Sequence, residues 1–281
     1  MLDAISVHIG LNRVDPNHYN GRAHELLGCE NDAVAMCRIA ERAGFTARIL
    51  TSEDATSKNV RTALRDGAAK LSSNGFFLVT FAGHGVRLRD AERNPLLNLR
   101  DEKADRKDEA WCLFDRLMRD DEICGLLAEF KPGQRVLAVL DCCHAASTTD
   151  ARGFRNRLAM RTIDLAAATR VIALNQGLYQ QLRVRLAGPG NVGATFLQLA
   201  ACDETSSTPD GPQHGAFTAS LLKVLSKGTA QTYDELHLAV GNMDVLRRPI
   251  LSPTDESTRE FRAMRPFIVH PGVPVDFSDL G

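Results

Sequence analysis

Two apolar runs that each stop abruptly at a reactive side chain constrain this chain more than any other feature. In RVLAVLDCCHAAS, residues Val136, Leu137, Ala138, Val139 and Leu140 are unbroken by a polar residue, and Asp141, Cys142, Cys143 and His144 follow at once. A half-exposed strand alternates apolar with polar side chains, so an unbroken run reads as a strand covered on both faces, the situation of a central strand in a parallel sheet. Upstream, FFLVTFAGHGV at 76–86 repeats the design and ends at His84 between Gly83 and Gly85. Glycine on either side lets the backbone turn and lets a substrate approach closely. Reacting groups collect at the carboxyl ends of strands in open α/β sheets. A thiol becomes a nucleophile at neutral pH when a base stands beside it, so the two strand ends together read as a Cys/His pair.

The rest of the sequence builds a sheet around these strands. Ile5–Leu11 suits a first strand, and GCENDAVAMCRIAERAGF a helix, because Ala33, Met36, Cys37, Ala40 and Ala43 share one face and Gly44 is a stop. Thr46–Leu50 reads as a second strand, and Thr56 as the cap of a helix whose face is Val60, Ala63, Leu64, Ala68 and Leu71. Strand and helix alternating in this order imply parallel pairing with right-handed crossovers. The charged stretch 87–108 reads as a loop or flap, Trp111–Phe114 as a short edge strand, and RDDEICGLLAEF as a helix leading into RVLAVL. Residues 150–190 carry Arg152, Arg155, Arg157, Arg161, Arg170, Arg183 and Arg185 with no strand pattern and patchy helix, and read as an exposed basic linker. ATFLQLAAC at 194–202 resumes the sheet, 203–215 is a polar loop, 217–225 and 233–246 are helical, and Phe267–Val269 closes the sheet edge.

Composition narrows the functional classes. With 281 residues, 44% hydrophobic and 25% charged, the chain can bury a large core as one domain. A formal net charge of -1 gives no electrostatic reason to expect nucleic acid or an anionic membrane as partner. No apolar run approaches the roughly 20 residues of a membrane span, and MLDAISVHIG lacks the basic start and apolar segment of a secretory signal, so a cytoplasmic location is expected. Seven cysteines, an odd number without paired CxxC spacing, fit that compartment. Cys142 and His144 do not make a metal site with their neighbour, since three adjacent residues cannot surround one ion. His8, His18, His24 and His214 have no partner pattern. There is no GxSxG elbow for a serine hydrolase.

Five motifs in order, GCENDA at 28–33, FAGHG at 81–85, DDE at 120–122, LDCCHA at 140–145 and AACDETS at 200–206, resemble the caspase-like cysteine peptidases of the metacaspase and orthocaspase type. His84 precedes Cys143 by a little more than the roughly 50 residues expected of caspase-like chains. The resemblance implies a caspase-hemoglobinase fold, with a mostly parallel central sheet flanked by helices on both faces. It implies one peptidase domain over 1–281, divided into a part resembling the large subunit (1–150), a linker open to processing (150–190) and a part resembling the small subunit (191–281). It makes His84 the general base and Cys143 the nucleophile, because the family pattern is Asp, any residue, Cys, His; Gly85 and Cys143 amides would hold the oxyanion. Asp32 and Asp141, with Cys29 nearby, would line a pocket for Arg or Lys before the scissile bond, although Asp32 also suits a helix start. Calcium is a further family trait, for which Asp120, Asp121 and Asp150 match, with Asp101 or Asp108 as a fourth ligand; DDE reads equally well as a helix first turn. Two departures stand out: Ala82 where the family often has Ser, and Ala145-Ala146 where Ser-Gly is usual.

The expected activity is thus an Arg- or Lys-directed endopeptidase acting on protein or peptide substrates, cut between Asp150 and Gly190 by itself or by an upstream peptidase. The competing expectation is a catalytically silent caspase-like binding or signalling module.

Overall fold

A computed structural model describes residues 1–89, 107–142, 160–185, 193–201, 209–243, 249–270, 272–273 and 275–280. In chain order the elements are β1 (Leu2–Gly10), α1 (Pro16–Tyr19), α2 (Cys29–Arg42), β2 (Thr46–Thr51), α3 (Ser57–Lys70), β3 (Leu71–Ala82), β4 (Gly85–Arg89), β5 (Lys107–Cys112), β6 (Leu117–Arg119), α4 (Asp120–Leu127), β7 (Arg135–Asp141), α5 (Leu165–Leu174), α6 (Gln176–Arg185), β8 (Thr195–Ala200), α7 (Ala216–Lys227), α8 (Tyr233–Met243), β9 (Ile250–Ser252) and α9 (Arg259–Arg262). Among the described residues, β2-β1-β3-β7-β8-β9 form a six-stranded sheet, parallel except for β9 against β8.

The two apolar runs are neighbours at the sheet's centre. β3 pairs with β7 from Phe76↔Arg135 to Ala82↔Asp141, so both strands end level and the residues that follow them meet. One face packs Ile5, Val7 and Ile9 against Val60 and Leu64 of α3, Leu126 of α4 and Ala168 of α5. The other packs Leu137, Val139, Leu197 and Leu199 against Ile39 of α2, Leu221 of α7 and Leu236 of α8. Buried apolar area of this extent, at about 25 cal/mol per Å², is the main stabilising term. Gly10 lets α2 sit close to the end of β1, since a Cβ there would lie 2.3 Å from the Cys29 carbonyl oxygen. Thr56 caps α3 as expected, its Oγ1 accepting from Asn59 N at 3.2 Å.

Four sequence expectations are corrected. Trp111 is not on an edge of the main sheet: β5 pairs antiparallel with β4 and β6 in a separate three-stranded sheet, where Trp111 stacks on Phe81 at 4.7 Å. That sheet also takes in the ends of the stretch read as a flap, because Arg87 faces Glu109 across β4 and β5 and the pair makes a strand out of charged residues; residues 90–106 lie outside the described set. The stretch read as an exposed linker contains α5 and α6, with Ala167, Ala168, Val171 and Tyr179 buried. The sheet edge is closed by Ile250–Ser252 rather than Phe267–Val269, which is buried without being a strand. No helix among the described residues is long and apolar enough to cross a membrane.

Candidate active site

His84 stands two residues past the end of β3, held by its own carbonyl accepting from Cys112 N at 3.0 Å. Its Nε2 lies 2.8 Å from the carbonyl oxygen of His24. A carbonyl only accepts, so Nε2 carries the proton and the lone pair is on Nδ1. Nδ1 is buried with no hydrogen-bond partner among the described residues. Burial pushes this imidazole down to about 4, which keeps it neutral at pH 7 and available as a base. The His24 ring meets it edge-on at 4.6 Å. Cys143, His144, Asp150 and Asp101 lie outside the described residues. Cys142 is buried in the core between the sheet and α3.

Beside His84 lies a buried pocket of three carboxylates. Asp32 comes from the first turn of α2, Asp141 from the last residue of β7, and Asp210 from the loop before α7. Their common partner is Arg161, whose side chain is 0% exposed. Its Nη2 donates to Asp32 Oδ2 at 2.5 Å and to Asp210 Oδ1 at 3.0 Å. Its Nε donates to Asp210 Oδ1 at 3.2 Å. Its Nη1 lies 2.9 Å from Asp141 Oδ2 and donates to the Asp141 carbonyl at 3.3 Å. Gly215 lies flat against the guanidinium: a Cβ there would be 2.4 Å from its central carbon. Cys29, Leu26 and Ala82 pack together as an apolar cluster at this level of the sheet, and burial holds the Cys29 thiol well above its ordinary range. Burial also raises Asp141, more than the facing guanidinium lowers it. His214 Nδ1 donates to Asp32 Oδ1 at 2.8 Å, and Thr218 donates to Asp141 Oδ2 from both N and Oγ1.

The backbone carrying Arg161 crosses the site through two isolated β-bridges. Met160 bridges antiparallel to Pro209, and Thr162 parallel to Gly85. Gly85 N donates to the Arg161 carbonyl oxygen at 3.1 Å, and Ile163 N to the Gly85 carbonyl at 3.1 Å. One side chain therefore fills the acidic pocket while the carbonyl following it meets the first amide after His84.

The structure brings Cys29, Asp32, Asp141, His84 and Gly85 into one region, and adds groups that the sequence did not mark. Asp210 sat in a loop rich in Ser, Thr and Pro, where a carboxylate looks solvated, and Arg161 was one arginine of seven. His24 and His214, read as having no partner pattern, contribute a carbonyl and a ring nitrogen that only the tertiary fold places. For calcium, Asp120 and Asp121 open α4, with Asp120 Oδ1 accepting from Asp121 N at 2.9 Å, and Asp108 falls in β5. No group of three His, Cys, Asp or Glu among the described residues could hold a metal ion. Asp101 and Asp150, the other expected ligands, lie outside the described residues.

Comparison with known proteins places these features in a family. The Caspase domain pattern matches residues 14–245. Metacaspase-4 of Arabidopsis thaliana is 32% identical over 155 residues, 52% of this chain and 34% of that protein, so the match spans about a third of the plant protein's length. A protein of Geobacter sulfurreducens with a solved structure is 30% identical, with a TM-score of 0.82 over 94% of this chain and 98% of that one. Caspase-1 of Spodoptera frugiperda, at 12% identity and a TM-score of 0.51 over 89% and 86% of the two chains, shares the fold. With a central mostly parallel sheet, helices on both faces and a family match across most of its length, the chain belongs to the caspase family of cysteine peptidases, and resembles its metacaspase members.

Proposed function

We propose that the protein is a cysteine endopeptidase that cleaves after Arg or Lys with a Cys143/His84 dyad, and that it is made as a zymogen whose own linker occupies its specificity pocket. The observation carrying this reading is Arg161, whose guanidinium sits among Asp32, Asp141 and Asp210 while its carbonyl oxygen accepts from Gly85 N. A cation-filled acidic pocket next to an amide donor is the arrangement a bound substrate arginine needs. Arg161–Thr162 is then the bond presented for processing within the expected 150–190 segment.

His84 Nδ1 takes the Cys143 thiol proton, and the thiolate adds to the carbonyl carbon after the pocket residue. The Gly85 and Cys143 amides hold the oxyanion, and the proton passes from His84 to the departing amine. Water then attacks the thioester with His84 as base, releasing the acid and restoring the thiol. Cys142, turned into the core, leaves Cys143 as the thiol for this role.

The purified chain is incubated with fluorogenic peptides ending in Arg, Lys or Asp, with and without calcium, and its fragments are weighed by mass spectrometry. Cleavage of the Arg and Lys peptides and a fragment ending at Arg161 are expected. Cys143→Ala abolishes both and Cys142→Ala leaves most of the activity. A preference for Asp peptides, or full activity from an uncut chain, overturns the respective half of the proposal; an inert, folded wild type favours the binding module.

A further inference from the structure

Resting on the peptidase reading, we infer that Asp210 is the residue that makes the pocket select arginine over lysine. The five N–H groups of a guanidinium are all accounted for by Arg161: one Nη2 bond to Asp32, one Nη2 bond and the Nε bond to Asp210, and two Nη1 contacts with Asp141. The Nε contact discriminates. Arginine carries a donor before the end of its side chain, whereas lysine has a methylene at that position and a single compact ammonium beyond it. With lysine bound, Asp210 Oδ1 would face a CH2 group in a buried site, and one ammonium could not reach all three carboxylates at once. A site built to hydrogen-bond a particular N–H disfavours the analogue that lacks it, because the buried carboxylate then loses a charge-assisted bond and keeps only those from the backbone amides.

Two further observations fit a planar cation. Gly215 approaches the guanidinium so closely that even one methyl group would collide with it, forming a flat slot rather than a round cage. Asp210 is also anchored independently of Arg161, since its oxygens accept from Leu27 N and from Gly28 N at 3.1 Å. Its acceptor therefore cannot swing to follow an ammonium. Asp32 and Asp141, by contrast, touch the terminal nitrogens and supply charge that both cations can use.

The test uses matched fluorogenic peptides differing only in Arg, Lys or citrulline before the scissile bond, turned over by the processed enzyme and by its Asp210→Asn form. Asn removes the charge and keeps one acceptor oxygen, so it can serve either the Leu27 or the Gly28 amide but not both; Asp210→Glu, which keeps the charge and displaces it, is the companion variant. The wild type is expected to prefer Arg to Lys by about 100-fold or more in kcat/KM, and Asp210→Asn to shrink that ratio by about tenfold to a hundredfold, chiefly through lost Arg turnover. Asp32→Asn should lower both rates with a smaller change in ratio. Equal use of Arg and Lys by the wild type, or parallel loss of both in Asp210→Asn, overturns the inference while leaving the peptidase reading intact; no turnover of any peptide overturns that reading instead. A readout independent of turnover is the melting temperature of the Arg161→Ala chain. Millimolar ethylguanidine should raise it more than ethylammonium does, and the difference should vanish in Arg161→Ala/Asp210→Asn; equal shifts with the two cations count against Asp210.

Discussion

Two buried arginines in this molecule are solved in opposite ways. Arg116, between β5 and β6, donates through Nη1 and Nη2 to the two oxygens of Glu122 at 2.9 and 2.6 Å and through Nη1 to the Leu117 carbonyl, while Arg61 approaches the same carboxylate at 3.2 Å. The partners are close in sequence, and cations are not outnumbered. Arg161 has three carboxylates around it, drawn from α2, β7 and the loop before α7. A brace within one hairpin and helix needs only to satisfy itself, whereas an excess of buried negative charge gathered from distant segments is stable only while a cation sits in it. The first is structure; the second, on the function proposed above, is a receptor in which the chain has placed its own ligand.

Substitution separates them most sharply. Removing one partner of a buried pair strands the other, at about 3–5 kcal/mol. Arg116→Met should lose that amount in urea unfolding, and the Arg116→Met/Glu122→Leu double replacement should recover most of it, because apolar groups of similar volume refill the site. Arg161→Met should cost at least as much and find no such rescue by replacing a single acid, since two carboxylates would remain. Recovery of full stability in Arg161→Met/Asp210→Leu would break the distinction.

The comparison also explains what was legible in the sequence. Strand runs that stop at His84 and Asp141 announced themselves, because burial on both faces leaves an unbroken apolar signature and the parallel register then aligns their ends. Asp32 and Asp141 were legible through motif position, and the cap at Thr56 through its chemistry. Arg161 and Asp210 were not, since each lies in a polar stretch and is buried only by elements far away in the chain. The same holds for α5, whose alanines carry little periodic signal yet pack against the core, and for α6, which buries Tyr179. The small sheet was missed because its strands include Arg87 and Glu109, whose pairing across β4 and β5 turns charge from a loop signal into a cross-strand contact.

Protons offer a second, smaller division. Burial lowers His84 to about 4 and His8 to about 3, the latter held between Ser6 Oγ and Thr80 Oγ1. Both are neutral when folded and protonate near 6.5 when unfolded, so their contribution is intact above pH 6.5 and is lost as pH falls toward 4 and 3 respectively. Asp141 has the opposite sign: its folded carboxyl is raised, so the penalty it carries at neutral pH fades as acid protonates it. Stability should therefore drop between pH 7 and pH 5 by about 2 kcal/mol for each histidine. His8→Asn should flatten its share and Asp141→Asn should not; a slope abolished by Asp141→Asn would mean the pocket acids, rather than the histidines, govern acid lability.

The smallest effect concerns a hydrogen-bond route joining the brace to α6, in the stretch that follows Arg161. Leu117 gives its carbonyl to Arg116 and its amide to the hydroxyl of Tyr179 in α6, at 3.1 Å, and that hydroxyl also meets His18 Nε2 at 2.9 Å. Tyr179→Phe leaves the Leu117 amide buried without its acceptor, a loss of about 1–2 kcal/mol. Between Tyr179 and Thr162 stands α5, which has its own cap, Asp164 accepting from Ala167 N at 2.8 Å, and its own buried face of Ala167, Ala168 and Val171. The disturbance should therefore stop at α6. Hydrogen exchange of the Leu117 amide should quicken about tenfold in Tyr179→Phe, while that of Ile163, bonded to the Gly85 carbonyl at 3.1 Å, stays as it was. If Ile163 quickens as well, the brace and the occupied pocket open as one unit, and the division between them fails at the level of motion even where it holds for charge.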